Sequence, residues 1–286
     1  MRGYLAEFLS DPRVVKLPRL IWLPILYGIV LRTRPAKSAE KYAQIWTADG
    51  SPLAFHTQRQ ADLLRRVLQI PVVHAMRYGE PSIASALKQL PNQDVVVVPL
   101  YPQYAESTTE SVADVLPPVL PPGMRMIREF HAHPAYIAAL AANVRRHWDM
   151  HGRGPMLVMS FHGLPKRGSE TYATQCRSTA KLLSEKLGLA PNEWQATFQS
   201  RFGYAEWLQP YTETTLKELA SRGIRRADVV FPGFVADCLE TLEEIGIGAR
   251  RRFLDAGGEQ LYPVPCLNES PEWIAALALI SGAKKA

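Results

Sequence analysis

The sequence predicts a doubly wound α/β fold, in which helices cover both faces of parallel sheets. From residue 71 onwards, short apolar runs of strand length alternate with segments of helical periodicity. The run 95–98 is apolar at every position, as in a parallel strand that is buried on both faces. A proline-rich segment, 117–122, stands between two such alternations, so we expect two similar halves.

Composition supports this fold class and argues against several others. The 286 residues are 47% hydrophobic and 21% charged, which suits one large domain or two medium ones. The net charge of +6 comes from scattered basic clusters that are not interleaved with aromatic residues, so we expect no nucleic-acid partner. Three cysteines lie far apart without a C-x-x-C pair. This argues against disulfides, a structural zinc site and a cysteine-held iron–sulfur cluster, and it fits the cytoplasm.

The chain begins with helical patterns rather than with a strand. Residues 2–9 have the pattern of a helix, and an apolar segment, 20–31, follows. That segment is too short for the ~20 residues that cross a bilayer, contains Pro24, and is flanked by arginines. We interpret it as an interfacial or substrate-covering helix, with a buried core helix as the alternative. Further helical patterns cover 38–46 and 52–69.

The α/β region then alternates strand candidates with helical patterns. The strands are 71–76, 94–99, 124–130, 155–161, 194–198, 227–231 and 260–263. The helical patterns are 82–90, 107–116, 134–151, 169–187, 211–221, 239–245 and 271–280. Because each connection returns through a helix, we expect the strands to be parallel.

Polar side chains stand at or just after four predicted strand ends, where open α/β sheets place their ligand crevices. They are Arg77; Tyr101; His162; and the group Phe234, Asp237, Glu240 and Glu244. An imidazole can accept or donate a proton near neutral pH, and a carboxylate can hold a proton or a hard metal ion. The residues therefore indicate an enzyme that abstracts protons or handles a metal.

Simpler interpretations compete at these positions. A lone histidine at a strand end is more often structural than catalytic. Asp237, Glu240 and Glu244 are spaced to form one acidic row on a helix, yet capping by Asp237 and the helix dipole explain the row about as well. Glu240, in the first turn after a strand and a glycine turn, is the residue that capping explains least.

Two histidine pairs offer weaker metal sites. His131 and His133 stand at a strand end, but the proline that follows makes the segment equally a helix start. His147 and His151 have the spacing of two ligands on one helix face, but the glutamate of the H-E-x-x-H motif is missing and the helix dipole explains a histidine there.

Four motifs in chain order resemble those of bacterial, protoporphyrin-using ferrochelatases. They are Ser160-Phe-His162-Gly-Leu-Pro165; Tyr101-Pro-Gln-Tyr104 followed by Ser107-Thr-Thr109; Gln199-Ser-Arg-Phe-Gly203 with Trp207; and Pro232-Gly-Phe234-Val-Ala-Asp237-Cys-Leu-Glu240-Thr-Leu. The resemblance implies insertion of Fe²⁺ into protoporphyrin IX to give protohaem, with no organic cofactor. It also implies two Rossmann-like, chelatase-type domains, each a parallel sheet flanked by helices, with the active site in the cleft between them.

The resemblance implies roles for individual residues. His162 would be the catalytic base or metal-handling residue, and Glu240 its partner across the macrocycle. Asp237 and Glu244 would extend the acidic row as a relay for protons or iron. The porphyrin pocket would be lined by Arg77, Tyr101, Trp207 and Phe234, with Arg77 near a propionate.

The resemblance also implies boundaries and a location. The N-terminal domain would comprise residues 1–127, with 268–286 packing back on it, and the C-terminal domain would comprise 128–267. The apolar segment 20–31 would form a lip over the pocket that touches the inner membrane from the cytoplasmic side.

Three departures from the family pattern modify these expectations. The first strand and the Asn-Leu-Gly-Thr-Pro turn with which family members begin are not found in this sequence. A misassigned start codon or a truncation would explain this, and we expect this form of the protein to be poorly stable or weakly active. Cys238 stands where some relatives carry a histidine, so that accessory ligand is missing. Glu106 stands where cluster-bearing relatives have a cysteine, so we expect no iron–sulfur cluster.

Alternative functions remain open at this point. A coproporphyrin ferrochelatase would differ by pocket arginines that the sequence does not place. A non-catalytic tetrapyrrole carrier would keep the aromatic walls but would not need both His162 and Glu240. A chelatase for cobalt or nickel would share the histidine, whereas the Tyr101-Pro-Gln-Tyr104 and Asp237–Glu240 segments argue against it.

Overall fold

The computed structural model describes residues 1–90, 94–201, 203 and 205–283. Its strands are β1 (Val96–Val97), β2 (Arg125–Met126), β3 (Leu157–His162), β4 (Trp194–Gln199), β5 (Arg226–Val230) and β6 (Gln260–Pro263). Its α-helices are α1 (Arg2–Ser10), α2 (Arg19–Ile25), α3 (Leu31–Ala43), α4 (Pro52–Leu68), α5 (Ile83–Leu87), α6 (Ser111–Ala113), α7 (Pro134–His151), α8 (Glu170–Leu187), α9 (Thr212–Ser221), α10 (Arg250–Asp255) and α11 (Pro271–Ser281). Three π-helices are π1 (Leu26–Val30), π2 (Glu106–Glu110) and π3 (Glu240–Ala249).

The strands form two parallel sheets, which confirms the predicted fold class. One sheet pairs β1 with β2, and the other has the order β4-β3-β5-β6. In the larger sheet, the last residue of β3, His162, pairs with the last residue of β4, Gln199. Both side chains therefore stand at the carboxyl edge of the sheet, the edge at which open α/β sheets bind ligands.

The larger sheet forms where apolar runs are long enough to be buried on both faces. The first five residues of β3 are buried, and His162 is the first that is partly exposed. Helix α7 begins with Pro134 at its first position and ends before Gly152, which has a φ of 76°. It packs on α8 and α11, and α11 also packs on α4, around Trp273 and Tyr136, which are both fully buried.

The strands predicted in the first half are largely wrong. No strand forms at 71–76, where Met76 makes an isolated bridge to Ser82, and the predicted 94–99 and 124–130 shrink to two residues each. Among the described residues β1 pairs with β2 alone, and a two-stranded pair is marginally stable. Apolar sequence is thus not sufficient here, because an extended segment becomes a strand only with a neighbour to bond.

The first 43 residues form a separate unit that we call the N-terminal lid, made of α1, α2, π1 and α3. Its small core consists of Leu5, Leu9, Leu26 and Leu31, and is distinct from the main core. In the segment 20–31 Leu26 and Leu31 are buried in this small core, but α2 has no buried residue and Leu20 is 92% exposed, so the segment lies at the surface and is not a helix of the main core. Within the described residues, we find no helix with the length and apolarity that crossing a membrane requires.

The predicted division of the chain into residues 1–127 plus 268–286 and 128–267 stays a prediction. The two sheets lie on either side of it, and α11 packs on α4 as well as on α7. The main core crosses the boundary, however, because Leu64 and Leu68 of α4 share it with residues of α7 and β3.

Candidate active site

A cavity of about 2450 Å³ lies at the carboxyl edge of the larger sheet, bounded by the N-terminal lid, residues 71–108 and π3. Typical pockets for small ligands measure roughly 300–1,000 Å³, so this one has room for a larger molecule. Its lining includes the predicted site residues His162, Glu240, Glu244, Arg77, Tyr101, Trp207 and Phe234. Asp237 is the predicted site residue that does not line it.

His162 is held in one tautomer by its own backbone neighbourhood. Its Nδ1 lies 2.6 Å from the carbonyl oxygen of Gly163. A carbonyl oxygen only accepts, so Nδ1 carries the proton and donates it. The hydroxyl of Tyr172 donates to the His162 carbonyl at 2.9 Å and fixes the main chain at the same point. Nε2 of the neutral ring is therefore left as a proton acceptor.

Gln199 connects the strand that carries His162 to the helix that carries Glu240. Its Nε2 donates to the backbone carbonyl of Glu240 at 2.9 Å, and its Oε1 accepts from the Ser160 hydroxyl at 2.6 Å. The side chain is buried, at 4% exposure, and lies opposite His162 in the sheet register. Sequence reasoning quoted this residue in a motif but assigned it no role.

Glu244 shares an electrostatic environment with both predicted catalytic residues. Its two carboxylate oxygens accept from the backbone N–H of Ser200 at 2.7 Å and from the Ser200 hydroxyl at 2.6 Å. Burial raises the pKa of Glu244 above its usual range, and the nearby charge of Glu240 raises it further. The bonds from Ser200 and the proximity of His162 oppose that rise without cancelling it.

A further acid, Glu243, lines the same wall and was missed from the sequence. Its Oε2 lies 2.9 Å from Nζ of Lys41 in α3. Its side chain is 12% exposed, whereas that of Lys41 is 54% exposed. Glu243 follows Glu240 by three residues, a spacing that shares one helix face, so the sequence contained a signal for it that was not used.

Asp237 does not continue the predicted acidic row, because π3 begins only at Glu240. Its Oδ1 accepts from the Thr241 hydroxyl at 2.9 Å and from the Cys266 N–H at 3.2 Å. Its Oδ2 accepts from the Asn268 side-chain amide at 2.7 Å. The carboxylate is buried and accepts from these three donors, none of which is a backbone N–H of the first turn of π3, so Asp237 has a structural role but is not the helix cap that the sequence offered as its alternative.

Arg77 faces the cavity but is largely committed to protein partners. Its Nη2 lies 2.6 Å from Asp11, and its Nε donates to the backbone oxygen and to the hydroxyl of Ser111, each at 2.7 Å. Burial raises the pKa of Asp11, but bonds from Ser111, Arg13 and Tyr78 and the charge of Arg77 outweigh it, so the net pKa is lowered. This cluster anchors the N-terminal lid to the cavity wall.

Three aromatic side chains form apolar surfaces on the cavity. Tyr101 is 37% exposed, Trp207 is 9% exposed, and the Phe234 ring centroid lies 6.4 Å from that of His162. The Trp207 motif also contains Phe202, which lies outside the described residues. The arrangement suits a flat, largely apolar ligand that reaches His162 at its edge or face.

The competing histidine pairs do not form metal clusters. The rings of His147 and His151 lie 4.7 Å apart between centroids, and neither residue lines the cavity. Over the described part of the chain, no group of three or more His, Cys, Asp or Glu side chains is arranged to hold a metal ion. Cys176, Cys238 and Cys266 are buried free thiols.

Comparison with known proteins was made by sequence and by structure. The family model described as Ferrochelatase matches residues 1–284. A protein of Aromatoleum aromaticum named Ferrochelatase is 54% identical over 294 residues, covering 97% of this chain and 80% of its own length. One of Azoarcus sp. with the same name is 53% identical, with the same coverage.

Solved structures share the fold at much lower identity. CbiX, described as the terminal enzyme for biosynthesis of sirohaem in denitrifying bacteria, has a TM-score of 0.57 at 17% identity, covering 82% of this chain and 94% of its own. SirB from Bacillus subtilis with Fe3+ has a TM-score of 0.59 at 17% identity, covering 83% and 92%. At this identity the likeness shows the fold alone.

Proposed function

The chain belongs to the ferrochelatase family and is a lyase of haem biosynthesis that inserts iron into a porphyrin; we propose that the porphyrin is protoporphyrin IX and that His162 and Glu240 carry out the insertion. The observation that supports this most is that the buried Gln199 side chain joins the backbone of Glu240 to Ser160, on the strand that ends at His162, at the edge of a cavity large enough for a macrocycle.

The reaction requires two pyrrole N–H protons to leave while Fe²⁺ exchanges its water ligands for ring nitrogens. His162 has the form needed to take one of these protons, because Nδ1 is held as a donor and Nε2 is the acceptor. Glu244 lies close enough to influence and be influenced by His162 electrostatically, so it stabilises the imidazolium that results.

Glu240 and Glu244 supply oxygen ligands suited to Fe²⁺ and sites for the second proton. Ser200 holds Glu244 through both carboxylate oxygens, and Gln199 holds the backbone of Glu240. The carboxylates of Glu240 and Glu244, the second of them fixed by Ser200, thus form a route along π3 towards the macrocycle. We assign no relay role to Asp237, whose oxygens are committed to structural bonds.

The porphyrin would pack against Tyr101, Trp207 and Phe234, whose apolar faces match its own. Arg77 supports this wall by its contacts with Asp11 and Ser111, and its Nη1 remains for a propionate. No organic cofactor is needed, because the chain's own side chains hold and move the protons. Of the three cysteines only Cys238 lines the cavity, so they are not gathered there as the ligands of a cluster would be, and we also propose that no iron–sulfur cluster takes part.

The exposed apolar face of the N-terminal lid supports peripheral contact with the inner membrane from the cytoplasm. Leu20, Ile21 and Ile29 are 92%, 59% and 61% exposed, and Arg19 and Arg32 flank them. Apolar side chains beside arginines suit the headgroup region of anionic lipid. Co-sedimentation with anionic vesicles should fall severalfold in a Leu20→Ser, Ile29→Ser double variant; unchanged binding would reject the proposal.

The decisive test of the function is anaerobic addition of Fe²⁺ and protoporphyrin IX, followed by the Soret shift. His162→Ala and Glu240→Ala should each lower the insertion rate by about 10²-fold or more, as expected for groups that act in the transition state. His151→Ala and Glu218→Ala, which remove the same groups from exposed positions, are matched controls. Coproporphyrin in parallel tests the alternative substrate, and binding without insertion would indicate a carrier.

A further inference from the structure

The N-terminal lid is attached to the two sides of the cavity in different ways. On the side of residues 77–114 it is held by several contacts: Arg77 to Asp11 at 2.6 Å, Arg13 to Asp114 at 2.7 Å, Lys16 to Glu106 at 2.6 Å, and the Gly79 N–H to Glu7 at 2.8 Å. On the opposite side, the ion pair between Lys41 and Glu243 joins α3 to π3 across 202 positions of sequence.

The Lys41–Glu243 pair differs from those contacts in its chemistry as well as its place. Glu243 stands between Glu240 and Glu244 along the acidic wall of the cavity, and is only 12% exposed. Lys41 is 54% exposed and carries its ammonium on a flexible stem. Carboxylate oxygens are also ligands that suit a divalent cation, so a cation at this wall would compete with Lys41 for Glu243.

We propose that the Lys41–Glu243 ion pair is a displaceable tether, which holds the N-terminal lid closed over the cavity. A divalent cation that binds the acidic wall would replace Lys41 as the partner of Glu243 and so release α3. The inference rests on the proposed function, because it takes π3 as the side from which iron approaches. It assigns Lys41 and Glu243 a positioning role that couples metal binding to opening of the lid.

The coupling has to be reciprocal, since both processes compete for one carboxylate. The free energy by which the Lys41–Glu243 pair stabilises the closed lid therefore lowers the binding free energy of the cation by the same amount. Partly exposed ion pairs are weak, so the exchange is easily reversed, and the expected effect of removing Lys41 is about a two- to fivefold gain in cation affinity.

Zn²⁺ is the probe for the test, because it does not oxidise and can be added to the protein without porphyrin. Lys41→Met should lower the KM for Zn²⁺ in porphyrin metallation about two- to fivefold with little change in kcat, and Lys41→Arg should restore the wild-type value. Glu243→Gln should raise that KM. Lys37→Met, one turn earlier on α3 and also at the cavity, removes the same charge and should leave the KM unchanged.

Hydrogen–deuterium exchange of α3 gives a readout independent of activity. Zn²⁺ should speed exchange of the amides of 31–43 in the wild-type protein, and Lys41→Met should exchange faster with or without Zn²⁺. An unchanged KM in Lys41→Met together with Zn²⁺-insensitive exchange would overturn the tether. A failure of the proposed function would give another result: His162→Ala and Glu240→Ala would insert metal at wild-type rates.

Discussion

Replacing Gln199 by leucine tests the connection between the two catalytic residues. The substitution preserves most of the side-chain volume but removes the donor to the Glu240 carbonyl and the acceptor of the Ser160 hydroxyl. Ser160 keeps a second partner, the Thr212 hydroxyl at 2.8 Å. The loss therefore falls mainly on the backbone carbonyl of Glu240, at the start of π3.

The magnitude follows from that single carbonyl. This carbonyl also accepts within π3, so the substitution removes one hydrogen bond without leaving the acceptor unpaired, and it should lower the free energy of unfolding by about 0.5–1.5 kcal/mol. The larger effect should be on catalysis, because Glu240 loses its fixed distance from the strand that carries His162. A displacement of about 1 Å at a reacting group lowers rates by about 10²-fold.

Urea unfolding and anaerobic metal insertion separate these two effects. Gln60→Leu is a matched control, because Gln60 is 1% exposed and also donates to two backbone carbonyls, of Val235 at 3.2 Å and Asn268 at 3.0 Å. We expect both variants to lose similar stability, and Gln199→Leu alone to lose kcat at a temperature where both are folded. Equal rates in the two variants would refute the positioning argument.

Three further predictions follow from the site. Because burial raises the pKa of Glu244 above 4.5, its proton stabilises the native state below that pH, and this contribution is lost as pH rises through the native pKa. Glu244→Gln should therefore gain stability relative to wild type as pH rises above 4.5 in urea titrations, and a constant difference would contradict this. Asp237→Ala should destabilise by about 2–4 kcal/mol yet keep its rate per folded molecule, whereas a large drop in kcat would restore the relay role. Arg77→Leu leaves Asp11 buried without its cation and should lower unfolding free energy by about 3 kcal/mol, with faster trypsin cleavage of the lid; unchanged digestion would show that the lid does not depend on this pair.

Secondary structure could be predicted from the sequence where it depends on local pattern and burial. Strands β3 to β6 follow their predictions to within two residues, because each apolar run has neighbours on the sheet and helices on both faces. Residues 71–76 have the same apolar character but no ladder partner, and backbone pairing between distant segments cannot be read from a single run. Helix π3 was predicted only as a helix from 239 to 245, since composition does not distinguish π from α winding.

In the candidate site, too, some residues could be predicted from local sequence and others could not. His162, Glu240 and Glu244 could be selected because their residue types stand at strand ends or just after them. Gln199, Ser200 and Lys41 could not, because their importance comes from contacts across 41, 44 and 202 positions. Asp237 is the reverse case: its residue type suits a relay, but the structure shows its carboxylate accepting bonds from Thr241, Cys266 and Asn268, which the sequence alone does not reveal.

The winding of π3 decides which acids reach the cavity. A π-helix holds one more residue in each bonded turn than an α-helix, and each residue of an α-helix advances by about 100°. Deleting a single residue inside Glu240–Ala249 would let the segment relax to α winding and bring a different carboxylate opposite Ser200. The loss of one codon would then change which carboxyl group lies near His162, although every remaining residue would keep its own chemistry.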